Sequence, residues 1–185
     1  MRRAAILFIV LFGFISYSNA NCKGYRNYFS ASINGNVYNQ SLAMQSFSNA
    51  TGFEISYGKA VGWGYAHGFK LSNRKYQFAN NGLISISETV FGYELSQKII
   101  QNGMLNIKLL GDAGAGFRKH TAINADDFAQ FKYAFLDANV GAELAIKPIC
   151  FLEVFGRSTL GYQYSKSAAG ANYRSLNSVG LRYFL

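Results

Sequence analysis

The sequence predicts an all-β protein: an eight-stranded antiparallel up-and-down transmembrane β-barrel. Three observations predict it. Apolar and polar residues alternate with period two in eight separate segments, which is the mark of strands with two unlike faces. Charge is scarce, at 15% of residues, while 19 Gly, 13 Tyr and 16 Phe suit tightly turned, aromatic-banded β-structure. The charges that do fall on strands keep to one phase.

The chain of 185 residues has room for a targeting peptide and one domain, and is too short for a multidomain enzyme. Residues 1–20 read as a secretory signal peptide. Arg2 and Arg3 form a basic start, Ala4 to Ile15 an apolar run, and Ser18-Asn19-Ala20 a small-residue cleavage site, with cleavage expected after Ala20. The apolar run is too short to span a bilayer, which takes about 20 residues. A lipoprotein signal is disfavoured, because Asn19-Ala20-Asn21 before Cys22 lacks the usual apolar and small residues. Residues 21–185 are then the barrel domain.

The strands follow in order. Residues 28–38 set Phe29, Ala31, Ile33 and Val37 against Ser30, Ser32, Asn34 and Asn36. Residues 51–58 set Phe53, Ile55 and Tyr57 against Glu54 and Ser56, and 62–71 set Trp63, Tyr65, Phe69 and Leu71 against Gly64, Gly68 and Lys70. In 87–95, Phe91, Tyr93 and Leu95 oppose Glu88, Gly92 and Glu94. In 104–117, Leu105, Ile107, Leu109 and Phe117 oppose Asn106, Lys108 and Asp112. In 134–144, Leu136, Val140 and Leu144 oppose Asp137, Asn139 and Glu143. Residues 150–164 set Val154, Leu160, Tyr162 and Tyr164 against Glu153, Arg157, Thr159 and Gln163. The last segment sets Val179, Leu181, Tyr183 and Leu185 against Ser178, Gly180 and Arg182. Segments of about ten residues match strands that cross a bilayer at a tilt. Joins near 39–50, 72–82, 118–132 and 165–172 are long and polar, and the others mostly shorter, which is the outer-membrane arrangement of long outer loops and short periplasmic turns. Residues 83–87 fit the neighbouring phase badly and leave a ten-stranded alternative open.

Hydrocarbon leaves no strand edge unpaired, so spanning strands must close into a barrel. Eight strands enclose an interior filled by side chains. The polar phase therefore predicts a lumen charge network of Glu54, Lys70, Glu88, Glu94, Lys108, Asp112, Asp137, Glu143, Glu153, Arg157 and Arg182. Its expected role is a paired interior in place of an apolar core, with an ion path as the sharper alternative. Tyr57, Trp63, Tyr65, Tyr93, Tyr162, Tyr164 and Tyr183 are expected as interfacial girdles.

At this point the chain resembles the small outer-membrane β-barrel superfamily of Gram-negative bacteria, the opacity-protein-like, OmpX-like and OmpA-transmembrane-like barrels. The sequence Ser178-Val-Gly180-Leu-Arg-Tyr183-Phe-Leu185 is similar to that family's C-terminal assembly signal, carried here by Gly180, Tyr183 and Leu185, with Leu185 where a terminal Phe is usual. Asn139-Val-Gly141-Ala-Glu143-Leu and Gly161-Tyr-Gln-Tyr164 also resemble its strand phrases. The resemblance implies insertion into the cell outer membrane by the assembly machinery. It does not imply one activity, since the fold hosts many.

Catalytic, cofactor-binding and metal residues are expected to be none. The two histidines, His67 and His120, form no metal-ligand spacing, and neither belongs to a His-x-Ser pair that a lipid-modifying hydrolase would use. Cys22 and Cys150 both map near the periplasmic rim of an oxidising compartment. A bridge is open to them, but free thiols are favoured because Cys150 shares the lipid-facing phase. Arg74, Lys75, Arg118, Lys119, Lys132, Lys166 and Arg174 are expected in or beside the outer loops, where they are either simply solvated or contact lipopolysaccharide phosphates or an anionic host surface. Leu42, Met44, Phe47, Ile123 and Phe128 add apolar loop residues. The expected partners are outer-membrane lipid, lipopolysaccharide, the assembly machinery and a host or surface ligand, with no nucleic acid, and the chain is expected to be a monomer. The expected function is a non-enzymatic surface barrel with a structural or adhesive role through its loops. The alternative is a narrow pore through the charged lumen, and a lipid-modifying enzyme ranks last.

Overall fold

The computed structural model describes residues 27–41, 47–61, 64–78, 84–102, 104–122, 132–165 and 172–185. Eight strands run β1 (Asn27–Ser41), β2 (Phe47–Ala60), β3 (Tyr65–Phe78), β4 (Ile84–Asn102), β5 (Leu105–Ala122), β6 (Lys132–Ile149), β7 (Leu152–Tyr164) and β8 (Asn172–Phe184). Each pairs antiparallel with its sequence neighbour, and β1 pairs with β8 to close the barrel. The ten-stranded alternative falls away, because Ile84–Ser87 simply opens β4 opposite the end of β3.

Where side chains are described, the residues read on the apolar phase of each strand face outward and those read on its polar phase face the lumen, while Asn36 and Val37 of β1 lie beyond the described side chains, at a register shift. The outward set includes Ile33, Phe69, Phe91, Val140, Leu160 and Val179, each more than half exposed. Tyr57, Tyr65, Tyr93, Tyr162, Tyr164 and Tyr183 stand outward as expected of girdle residues, joined by Tyr173, while Trp63 lies outside the described residues. Tyr173 and Tyr183 are ten residues apart on β8. At about 3.4 Å per residue and a tilt of about 35–45° that spacing spans about 24–28 Å, the height of a lipid-facing band.

The strands run longer than the alternation alone marks. Residues 72–78 continue β3, 96–102 continue β4 and 118–122 continue β5, all in segments expected as joins. The β2–β3 turn is made by Gly64 with φ of 79°, a conformation that suits a residue without Cβ. The amide of Leu185 donates to the Asn27 carbonyl at 2.8 Å, so the C-terminal residue helps fasten the β1–β8 seam.

The interior is a mixed core. Tyr28, Val90, Leu110, Phe135, Phe155 and Leu176 are buried beside the charges. Tyr28 lies across the paired glycines Gly58 and Gly68, where a Cβ would meet its hydroxyl at 2.5 and 3.0 Å. Those two glycines make room for a ring inside a narrow barrel.

Candidate functional site

The register alone places opposite charges side by side. Lys108, Glu143 and Arg157 are successive partners across β5, β6 and β7, and Glu153 faces Arg182 across β7 and β8. All eleven residues of the predicted set are buried in the lumen. They do not act alone. Arg74, Arg118 and Arg174, expected in or beside loops, are buried there too, at 1%, 6% and 3% exposure. This corrects their placement: β3, β5 and β8 carry the inward phase past the lipid band. Seven carboxylates thus meet seven cations among the described buried residues, so that buried set is neutral.

The network has two tiers. In the tier nearer the β6–β7 turn the Glu143 carboxylate receives three cations: Lys108 Nζ at 2.9 Å, Arg157 Nη2 at 2.8 Å, and Arg182, whose Nη1 and Nη2 donate at 2.7 and 2.9 Å. Lys108 also donates to Glu153 at 2.5 Å, and Arg182 bonds the same carboxylate. Arg157 reaches on to Glu94 and Glu54 at 2.7 and 2.8 Å, joining four strands. Its guanidinium and that of Arg182 lie 5.3 and 4.8 Å from the Phe155 ring centre, which covers the charges with an aromatic face.

The tier toward the opposite end of the barrel centres on Glu88 and Asp137. Arg118 Nε donates to Glu88 at 2.6 Å and Nη1 to the Tyr133 hydroxyl at 2.7 Å, while Gln163 binds both Arg118 and Glu88. Arg174 bonds Asp137 and Asn139, and Arg74 stands 3.6 Å from Asp137. Between the tiers Lys70 binds Asp112 at 2.5 Å, and Asn139 donates to Asp112 at 2.6 Å. Glu94 and Asp112 are register partners of like charge, which Arg157 and Lys70 offset from either side. One void among Glu54, Lys70, Arg74, Asp112 and Arg157 measures about 10 Å³, room for about one water.

The other candidates lie elsewhere. His67 is on the outward face near the β2–β3 turn, its Nδ1 2.6 Å from the Tyr93 hydroxyl. Of the C-terminal signal residues, Tyr183 and Leu185 face outward and Gly180 faces inward. Cys150 is disulfide-bonded, against the favoured expectation of free thiols. β6 ends at Ile149 and Cys150 stands in the turn, so it is not held to the lipid-facing phase. The chain's other cysteine, Cys22, lies outside the described residues, as do His120, Lys166, Leu42, Met44, Ile123 and Phe128 as side chains. Lys75, Lys119 and Lys132 face outward near the strand ends opposite the β2–β3 and β6–β7 turns, and Phe47 opens β2.

No protein-family model matches the sequence, and no curated protein matches it. Solved structures do match in fold. Neisserial surface protein A aligns with TM-score 0.63 and 13% identity over 86% of this chain and 97% of that one. Ail, the attachment invasion locus protein of Yersinia pestis, aligns with TM-score 0.56 and 16% identity over 86% and 99%, and is also solved in complex with the heparin analogue sucrose octasulfate. A major outer membrane protein from Thermus thermophilus aligns with TM-score 0.58 and 9% identity over 86% and 99%. The closed register, the inverted polarity and these likenesses agree: the chain has the fold of the small eight-stranded outer-membrane barrels.

Proposed function

We propose that the chain is a non-enzymatic surface barrel of the outer membrane, exported by residues 1–20, with a sealed lumen and a structural and interaction role. The observation that carries this reading is the inverted polarity: a neutral, paired set of fourteen charges inside and a predominantly apolar face outside. Hydrocarbon is the one solvent in which that arrangement is favoured, because outward charge there costs about 2–4 kcal/mol for Lys or Arg. The packed lumen argues against a solute conduit. The engagement of His67 by Tyr93 on a lipid-facing surface argues against a hydrolase.

Gly180, Tyr183 and Leu185 serve as the assembly signal in this reading, and outer-membrane lipid and lipopolysaccharide are the surroundings. The loops supply the interaction surface. Lys75, Lys119 and Lys132 outside, with Lys166 in the fourth loop, favour an anionic ligand, and Ail's complex with a sulfated sugar supports the same chemistry. The test is binding of whole cells to immobilised sulfated polysaccharide, with neutral dextran as control. Replacing Lys75, Lys119, Lys132 and Lys166 together by Gln is expected to lower binding. Unchanged binding in a correctly inserted variant removes the loop-interaction role.

A further inference from the structure

The outward surface of β6, β7, β8 and β1 holds a feature that neither the lumen nor the loops explains. Ser158 on β7 and Asn177 on β8 are register partners, and both side chains point away from the lumen. Asn177 lies four residues from Tyr173 and six from Tyr183, close to the middle of the lipid band. Among the described residues neither side chain has a hydrogen-bond partner. The outward pair Asn73 and Thr89 shows the contrast, since Asn73 Nδ2 donates to Thr89 Oγ1 at 3.1 Å. A carboxamide at mid-band meets neither water nor headgroups, so its donors and acceptor need a protein partner.

The surroundings of the pair are flat. The row Ala142, Ser158, Asn177, Gly35 runs straight across four strands, and Gly156 stands beside Ser158 on the same face. A Cβ at Gly35 or Gly156 would meet nothing within 4 Å, so the barrel's own packing does not require glycine at either place. Neither has a positive φ, although Gly35 borders the β1 bulge. Small side chains there let a second body come close to the wall.

We propose that this face is where two copies of the chain pair within the membrane, about a two-fold axis near Asn177. The occupant follows from chemistry. Acyl chains have no polar group at this depth. A carboxamide is both donor and acceptor, and a hydroxyl likewise, so the patch complements itself, and a two-fold axis lays it on its own copy. The pairing departs from the monomer expected from the sequence. It rests on the membrane reading, which boiled and unboiled mobility of the same samples tests separately.

The experiment is oxidative cross-linking of Asn177→Cys in isolated outer membranes, with Leu109→Cys on the outward face of β5 as control. A dimer-sized band on a non-reducing gel from Asn177→Cys, and little from Leu109→Cys, is the expected result. Sedimentation of the full chain in detergent then compares wild type with Asn177→Leu, whose association is expected to weaken about threefold to tenfold. The proposal is overturned by equal or absent cross-linking at the two positions, by a band of another mass that marks a different protein, or by unchanged association of a folded Asn177→Leu.

Discussion

Glu143→Gln removes one charge from the point where three cations converge. Its carboxylate holds Lys108, Arg157 and Arg182 at 2.7–2.9 Å. At an effective dielectric of about 20 each contact is worth roughly 6 kcal/mol of gross attraction, against which stands the cost of burying the carboxylate itself. The net effect of breaking a buried ion pair on one side is about 3–5 kcal/mol, because the abandoned charges stay buried. Glutamine keeps the shape but brings an NH₂ toward a guanidinium and leaves the lumen with one positive charge in excess. The assay is equilibrium urea unfolding of the barrel in lipid vesicles, followed by boiled and unboiled gel mobility. The expected loss is about 3–5 kcal/mol. Glu143→Gln with Lys108→Met restores neutrality and is expected to recover at least half of it. A single substitution within about 0.5 kcal/mol of wild type, the range of ordinary surface changes, would refute the view that this network replaces an apolar core.

Other outcomes follow from the same geometry. Val140→Arg, outward at mid-band, is expected to cost about 2–4 kcal/mol in the unfolding assay, and a cost near zero would place that face in water. Planar bilayers containing the purified protein are expected to stay electrically silent, and steady conductance steps abolished by Arg157→Ala would revive the conduit. Tyr183→Asp is expected to lower the amount of folded barrel recovered from cells, and unchanged recovery would deny the C-terminal strand its assembly role. Gly58→Val, which drives a side chain into Tyr28, is expected to lower stability, with Tyr28→Ala in the same chain partly restoring it.

The fold was legible because the membrane imposes one rule on every strand: outward residues must be apolar at lipid depth. Phe29, Ile33 and Phe53 read as plainly as Val179 and Leu181. The same rule hid Arg74, Arg118 and Arg174. Above the lipid band the outward face is wet, so Lys75, Lys119 and Lys132 stand where apolar residues would otherwise mark a strand, and the alternation fades while the ladder continues. The signal was present in the phase itself. Counting by twos from Lys70 reaches Arg74, from Asp112 reaches Arg118, and back from Arg182 reaches Arg174. Charge gave the same hint, since seven inward carboxylates against four cations leave a buried excess that a narrow lumen does not tolerate. Which carboxylate meets which cation was not legible, because Arg157 reaches Glu94 and Glu54 across the barrel, and no strand-to-strand register gives such contacts.

The measurement that tests the central claim most directly is a nitroxide scan along the outward positions Leu136, Ala138, Val140, Ala142 and Leu144 of β6, with the folded protein in lipid vesicles. Collision with dissolved oxygen is expected to peak at Val140, and collision with an aqueous nickel complex to be lowest there. Equal access of the aqueous complex to all five positions would contradict the account, because the apolar face would then meet water rather than lipid.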